Sequence, residues 1–278
     1  MKFNLACAQY PIHFHSSFED WQKYVSEFVQ NAHQSQVLVF PEYGSLDLTS
    51  LLSDEERSLY SQIHGLRKYY WPFIETFENL AKKHQRYILA PSFPYVEKGK
   101  AHNRAFFMGP RGVLGFQDKY KMTRFEDEDW NVTSSPHSLI CFETDFGQMG
   151  VNICYDVEFP QFARTLSHQG AKLILAPSCT ETSFGMNRVH LGARARALEN
   201  QFIVAVAQTV GEAPWSPAVD KNTGQALICG PPDLGFPQDG IITKGSINEP
   251  GWVQTEIDLS LVDQVREKGS VFNFKHSF

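Results

Sequence analysis

Apolar positions along the chain fall into two alternating rhythms. Short runs rich in Val, Ile, Leu and Phe predict strands at 2–9, 37–40 and 87–90. Between them the apolar residues recur every three or four positions. Trp21, Val25, Phe28 and Val29 predict a helix over 18–33, and Phe73, Ile74, Phe77 and Leu80 predict another over 71–84. Segments 103–109 and 113–118 flank Pro110-Arg111-Gly112 and read as a hairpin. Strands follow at 139–142 and 149–153, with a turn between them containing Asp145 and Gly147. A helix at 159–169, a strand at 172–176, a helix at 187–200 and a strand at 202–208 continue the alternation. Fainter strand patterns at 225–228, 240–242 and 253–257 precede a short helix at 260–266. Interleaved strands and helices predict an α/β protein with antiparallel hairpins added to its sheet. No linker separates independent units, so one domain over 1–278 is expected, with 209–222 as a surface loop.

Composition narrows the class. The 278 residues are 42% hydrophobic, enough for a large core. With 25 basic and 31 acidic residues the net charge is −6, which gives no reason to expect nucleic acid or an anionic membrane as partner. No apolar run approaches the ~18 residues of a membrane span, and the opening MKFNLACAQYPI is too short in apolar length for a signal peptide. Five widely spaced cysteines contain no C-x-x-C, so neither a zinc knuckle nor a redox pair is suggested, and a reducing cytoplasm is the expected compartment. The H-x-H at His13 and His15 has no nearby carboxylate in sequence and reads as a polar loop, not a metal site.

Three stretches could carry chemistry. In GVNICYDVEFP, Cys154 stands at the joint between a predicted strand and a helix that starts at Phe159-Pro160. Asp156 could cap that helix. A thiol beside a helix N-terminus is expected to favour the thiolate, and the same free N–H groups can receive an oxyanion. A lone cysteine is more often a small buried hydrophobe, and that is the default for the other four. In VLVFPEY, Glu42 follows an apolar strand and Pro41, which stiffens the backbone before it. Solvation at a rim is the commoner fate of such a group. In QDKYKMTRFEDEDW, Lys119 ends a strand and is followed by Lys121, Arg124, Glu126, Asp127, Glu128 and Asp129, which on charge alone is a solvated loop.

Together these stretches place Glu42, Lys119 and Cys154 each at a strand end. That combination resembles the nitrilase superfamily of carbon–nitrogen hydrolases. VFPEY resembles its glutamate motif, GVNICYDVEFPQFAR its cysteine motif, and GARARALENQFIVAVAQTVG the helix and strand that follow. Lys119, Thr123, Glu126 and Trp130 match the spacing of its lysine segment, which favours Lys119 over Lys121 as the functional lysine. Members often carry His two residues after the lysine, where this chain has Lys121. The resemblance runs from the first strand to about residue 261.

The resemblance implies a four-layer α-β-β-α sandwich, no cofactor or metal, and a homodimer or higher homo-oligomer. It implies Glu42 as general base, Cys154 as nucleophile forming a thioester, and Lys119 with the Tyr155 N–H as oxyanion donors. Glu126 would orient the lysine or the substrate, and Ser178, Cys179 and Thr180 of APSCTETSF would line the substrate pocket. Cys154-Tyr155-Asp156, in place of Cys-Trp-Glu, favours a small linear amide or N-carbamoyl substrate over a nitrile. Nitrile hydrolysis on the same residues, a non-catalytic small-molecule or protein-binding relative, and acyl transfer to an amine remain as alternatives. Arg194, Arg196 and Glu199 read as structural ion pairing.

Overall fold

A computed structural model describes residues 2–277. Its first half runs β1 (Lys2–Pro11), α1 (Phe18–Asn31), β2 (Val37–Val39), α2 (Leu59–Gly65), α3 (Tyr70–His84), β3 (Tyr87–Leu89), β4 (Phe93–Glu97), β5 (Lys100–Gly109), β6 (Gly112–Asp118) and α4 (Arg124–Glu128). The second half runs β7 (Phe142–Thr144), β8 (Gly147–Val151), α5 (Pro160–His168), β9 (Leu173–Ser178), α6 (Ser183–Asn200) and β10 (Ile203–Glu212). β11 (Lys221–Asn222), β12 (Leu227–Cys229), β13 (Ile241–Lys244), β14 (Gly251–Asp258), α7 (Ser260–Lys268) and α8 (Asn273–His276) complete the chain.

Strand pairing follows the order β4-β5-β3-β2-β1-β10-β9-β8-β7, with β6 on β5, β14 on β1, and β11 and β12 on β10. The centre is parallel, from β3 through β2, β1, β10 and β9 to β8. Parallel strands run in one direction, so the segments leaving β1, β2, β8, β9 and β10 all emerge at one end of the sheet, which is where open α/β sheets place their ligands.

The two-residue alternation of each strand sorts side chains between layers. Leu5, Cys7, Val37, Val39, Tyr87, Leu89 and Phe107 point into a core shared with β7–β10. Ala6, Ala8, Leu38, Ile88 and Met108 point the other way, against Trp21, Val25 and Phe28 of α1 and Phe73 and Phe77 of α3. The halves meet face to face. Phe3 stacks on Phe146 at 4.6 Å, Phe107 meets Phe142 edge-on at 5.4 Å, and the Asp145 N–H donates to the Tyr87 hydroxyl at 2.9 Å. Helices α5 and α6 cover the outer face of the second half, giving the α-β-β-α order expected. Among the described residues no helix is long and apolar enough to cross a membrane.

Three expectations differ from the structure. The strand expected at 139–142 lies instead at Phe142–Thr144. Residues 209–222 are not simply a surface loop: β10 runs on to Glu212, and Ala213, Ser216 and Val219 are buried, with Ser216 Oγ donating to Gln62 Oε1 of α2 at 2.7 Å. The charged stretch after Lys119 is helix α4, opened by a capping box in which Thr123 and Glu126 satisfy each other's backbone N–H groups.

Candidate active site

Each candidate side chain leaves a strand through an irregular joint. Glu42 follows β2 after Phe40 and Pro41, and the next residue, Tyr43, has φ 54°. Lys119 follows β6 directly, and its N–H donates to the Asn103 carbonyl of β5 at 2.9 Å. Cys154 follows β8 after Asn152 and Ile153 and opens a 3-10 helix, Cys154–Glu158, with φ 47°. The left-handed region costs a non-glycine residue roughly 1–2 kcal/mol, so two such residues here are conformations the surrounding packing imposes. The joint at Cys154 turns its thiol away from the strand it follows.

The three side chains converge. Lys119 Nζ lies 2.7 Å from Glu42 Oε1 and 2.5 Å from Glu126 Oε2. Glu42 Oε2 accepts the Cys179 N–H at 3.0 Å, and the Cys179 carbonyl accepts the Cys154 thiol at 3.6 Å. The Glu42 carboxylate is also near enough for its charge to act on the Cys154 thiol. Asn103 Nδ2 donates to Glu42 Oε1 at 2.9 Å and to Glu126 Oε1 at 3.1 Å. Glu126 further accepts the Tyr43 hydroxyl at 2.8 Å, and the Thr123 N–H and hydroxyl at 2.9 Å each. Glu42, Lys119 and Cys154 are only 2%, 1% and 5% exposed, so these contacts act in a medium where water screens little.

Burial and neighbours set opposite tendencies on the two glutamates. Burial raises the Glu42 pKa, the Lys119 charge opposes that rise without cancelling it, and the Glu126 charge adds to it. Burial also works against ionised Glu126, but the Lys119 ammonium and the donors from Lys119, Thr123 and Tyr43 outweigh it and hold its pKa below the ordinary value. Glu126 is thus the fixed anion and Glu42 the carboxylate that can take a proton. Burial opposes the Lys119 ammonium, yet the charges of Glu126 and Glu42 hold its pKa well above the usual lysine range. An ammonium has three N–H groups, and the two glutamates take two, leaving one for a substrate oxygen.

The thiol departs from expectation. Burial, followed by the Glu42 charge, pushes Cys154 well above an ordinary thiol, against the opposing pull of Lys119. Proximity to a helix start does not outweigh burial here, because the helix is a single 3-10 turn. Cys154 therefore favours the thiol form, beside the Glu42 carboxylate. Asp156 does not cap α5, whose N-cap Phe159 makes no side-chain bond. Its carboxylate instead accepts the Tyr120 N–H at 3.0 Å and the Lys121 N–H at 2.7 Å, tying the cysteine joint to the segment just after Lys119. Burial pushes Asp156 up to about 7 against those donors.

The remaining sequence candidates occupy varied positions. Tyr155 is half-buried, edge-on to Phe159 at 4.8 Å, and its N–H lies in the first helical turn, where no intrahelical carbonyl reaches it. Ser178 is buried and its hydroxyl donates to the Ala176 carbonyl at 3.1 Å, while Thr180 donates to the Thr223 carbonyl at 2.7 Å. Cys179 meets the cluster through its backbone, and its thiol turns to Asn222 Oδ1 at 3.5 Å. The Lys121 side chain is exposed, its ammonium 6.0 Å from the centre of the Phe159 ring. Arg196 holds Glu199 through two bonds of 2.8 and 2.9 Å and the Val157 carbonyl at 3.2 Å. Sequence reasoning missed Asn103, Tyr43 and the Cys179 backbone. The one available signal was the polar run His102-Asn103-Arg104 opening an otherwise apolar strand.

The family model described as carbon–nitrogen hydrolase matches residues 4–267. A probable hydrolase, YhcX of Bacillus subtilis (strain 168), is 34% identical over 261 residues, covering 93% of this chain and 50% of the relative. Omega-amidase NIT2 of Xenopus tropicalis is 30% identical over 204 residues, covering 70% of this chain and 69% of the relative. The chain thus spans about half the length of the first and about two thirds of the second. Among solved structures, Saccharomyces cerevisiae Nit3, a member of branch 10 of the nitrilase superfamily, superposes with a TM-score of 0.74 at 20% identity, covering 96% of this chain and 93% of that one. The chain belongs to the carbon–nitrogen hydrolase family.

Proposed function

We propose that the protein hydrolyses a small linear amide or N-carbamoyl compound through a thioester on Cys154. One observation carries the reading: a single buried ammonium, Lys119, is shared by a proton-accepting carboxylate and a fixed anion beside a thiol. Glu42 takes the thiol proton as Cys154 Sγ attacks the carbonyl carbon. The carbonyl oxygen gains the electron pair and is held by the third Lys119 N–H and the Tyr155 N–H. Collapse of this intermediate breaks the C–N bond, and Glu42 returns the proton to the departing nitrogen. Water then loses a proton to Glu42 and attacks the thioester, the C–S bond breaks, and the sulfur recovers its proton as the acid leaves.

The name of the Xenopus relative puts ω-amides in the test set. Ammonia release should be screened across linear amides, ω-amides, N-carbamoyl compounds and nitriles. Release from amides or carbamoyl compounds by the wild type, and none by Cys154→Ala, is the expected outcome. Turnover of nitriles alone would transfer the same residues to nitrile chemistry, and undiminished turnover by Cys154→Ala would refute the mechanism. All five cysteines are free, which supports a reducing compartment as the place of work.

A further inference from the structure

Asn103 takes no part in the steps above, yet it lies among the groups that perform them. It is buried, and its neighbours His102 and Arg104 are buried too. Its Nδ2 reaches one oxygen of each glutamate, at 2.9 and 3.1 Å, and its backbone carbonyl accepts the Lys119 N–H. Its own Oδ1 has no partner among the described residues. Chemistry fixes the direction of the amide, because carboxylate oxygens accept and only its NH₂ end can donate to them. A buried amide oxygen left unpaired is unfavourable, so packing alone is a poor reason for an asparagine here.

The donors on Glu42 are unevenly divided. Oε1 accepts both Lys119 Nζ and Asn103 Nδ2, whereas Oε2 accepts the Cys179 N–H. We propose that Asn103 is a positioning residue that, with Lys119, keeps Oε1 occupied and so confines proton exchange with Cys154 to Oε2 of Glu42. Its second bond, to Glu126, holds the two carboxylates in a common orientation about the ammonium. This rests on the reading of Glu42 as base and adds to it the choice of oxygen.

The test uses Asn103→Ala, with Asn103→Ser in case the alanine variant does not fold, since a serine cannot bridge both carboxylates. Two pH profiles are measured: kcat/KM on the best amide, and the rate of Cys154 alkylation by iodoacetamide. Removing a donor to an ionised carboxylate raises its pKa, so the acid limb of both profiles should move to higher pH. At the wild-type optimum kcat should fall roughly tenfold to a hundredfold, the worth of a hydrogen bond to a charged group, with KM nearly unchanged. A folded variant whose acid limb stays in place overturns the proposal, whatever its activity. The two readings fail separately: if the wild type turns over no amide, hydrolysis is refuted, while alkylation still reports whether Asn103 tunes Glu42.

Discussion

Two glutamates bound to one lysine are driven apart by what else touches them. Glu126 gathers donors from Lys119, Thr123, Tyr43 and Asn103 and stays ionised; Glu42 has fewer and holds its proton more readily. The lysine is their counter-ion and, in the proposed mechanism, its remaining N–H donates to the reacting oxygen. Lys119→Ala should therefore lower kcat by roughly 10²–10³, the usual cost of losing an oxyanion donor. Lys121→Ala should stay close to wild type, because that side chain points to solvent and only its backbone N–H is used, by Asp156. Steady-state kinetics on both variants checks the assignment, and equal losses would contradict it. At this scale the sequence was legible at Glu42, which closely follows an apolar run, and at Lys119 through its spacing to Thr123, Glu126 and Trp130. Charge alone did not say which of four neighbouring acids, Glu126 through Asp129, would be buried; the spacing of Lys119, Thr123, Glu126 and Trp130 singled out Glu126.

The site hangs on elements whose ends are pinned. The β5–β6 hairpin carries Asn103 and Lys119 side by side, and one residue along the ladder Arg104 grips Asp118 through bonds of 2.6 and 2.9 Å. The guanidinium lies between the rings of Tyr95 and Phe116, 3.9 and 3.7 Å from their centres. Asp118 immediately precedes Lys119, so this buried pair anchors the strand end that presents the lysine. Arg104→Met should leave Asp118 buried with only His137, 3.9 Å away, beside it, costing about 3–5 kcal/mol, measurable by urea denaturation, with kcat reduced as the hairpin end loosens. A loss under 1 kcal/mol would show that the pair is dispensable. The main strands and helices were readable from periodicity because both kinds of core face repeat regularly, whereas α2 and β4 were not, and β7 lies a few residues beyond its expected place. The Asp156 tether was not, because its partners lie 35 and 36 residues away on another loop and no local pattern encodes a contact of that range. The local sequence suggested a helix cap instead, and the tertiary contact took precedence.

At the scale of the whole molecule, the sheet closes its two halves on one another and leaves α6 outside. Phe184, Leu191 and Leu198 follow one another at seven-residue intervals along that helix and are 78%, 65% and 42% exposed. Such a stripe is costly in water, and we propose that it pairs two copies of the chain. Leu191→Glu should turn a dimer into a monomer in sedimentation velocity without loss of helix content; a wild-type monomer would contradict the pairing. The layered class was legible from the alternation of strands and helices. The burial of Ala213, Ser216 and Val219 was not, because a partner such as Gln62 of α2, bonded to Ser216, lies more than 140 residues earlier. The central claim is that Glu42, Lys119 and Cys154, remote in sequence, form one thiol-based acyl-transfer centre. Acid-quenched turnover of the best amide, followed by peptide mass spectrometry, tests it most directly. The account predicts the substrate's acyl mass on the peptide containing Cys154, absent from Glu42→Gln. Ammonia release with the acyl group on Cys179, or on no cysteine at all, would contradict it.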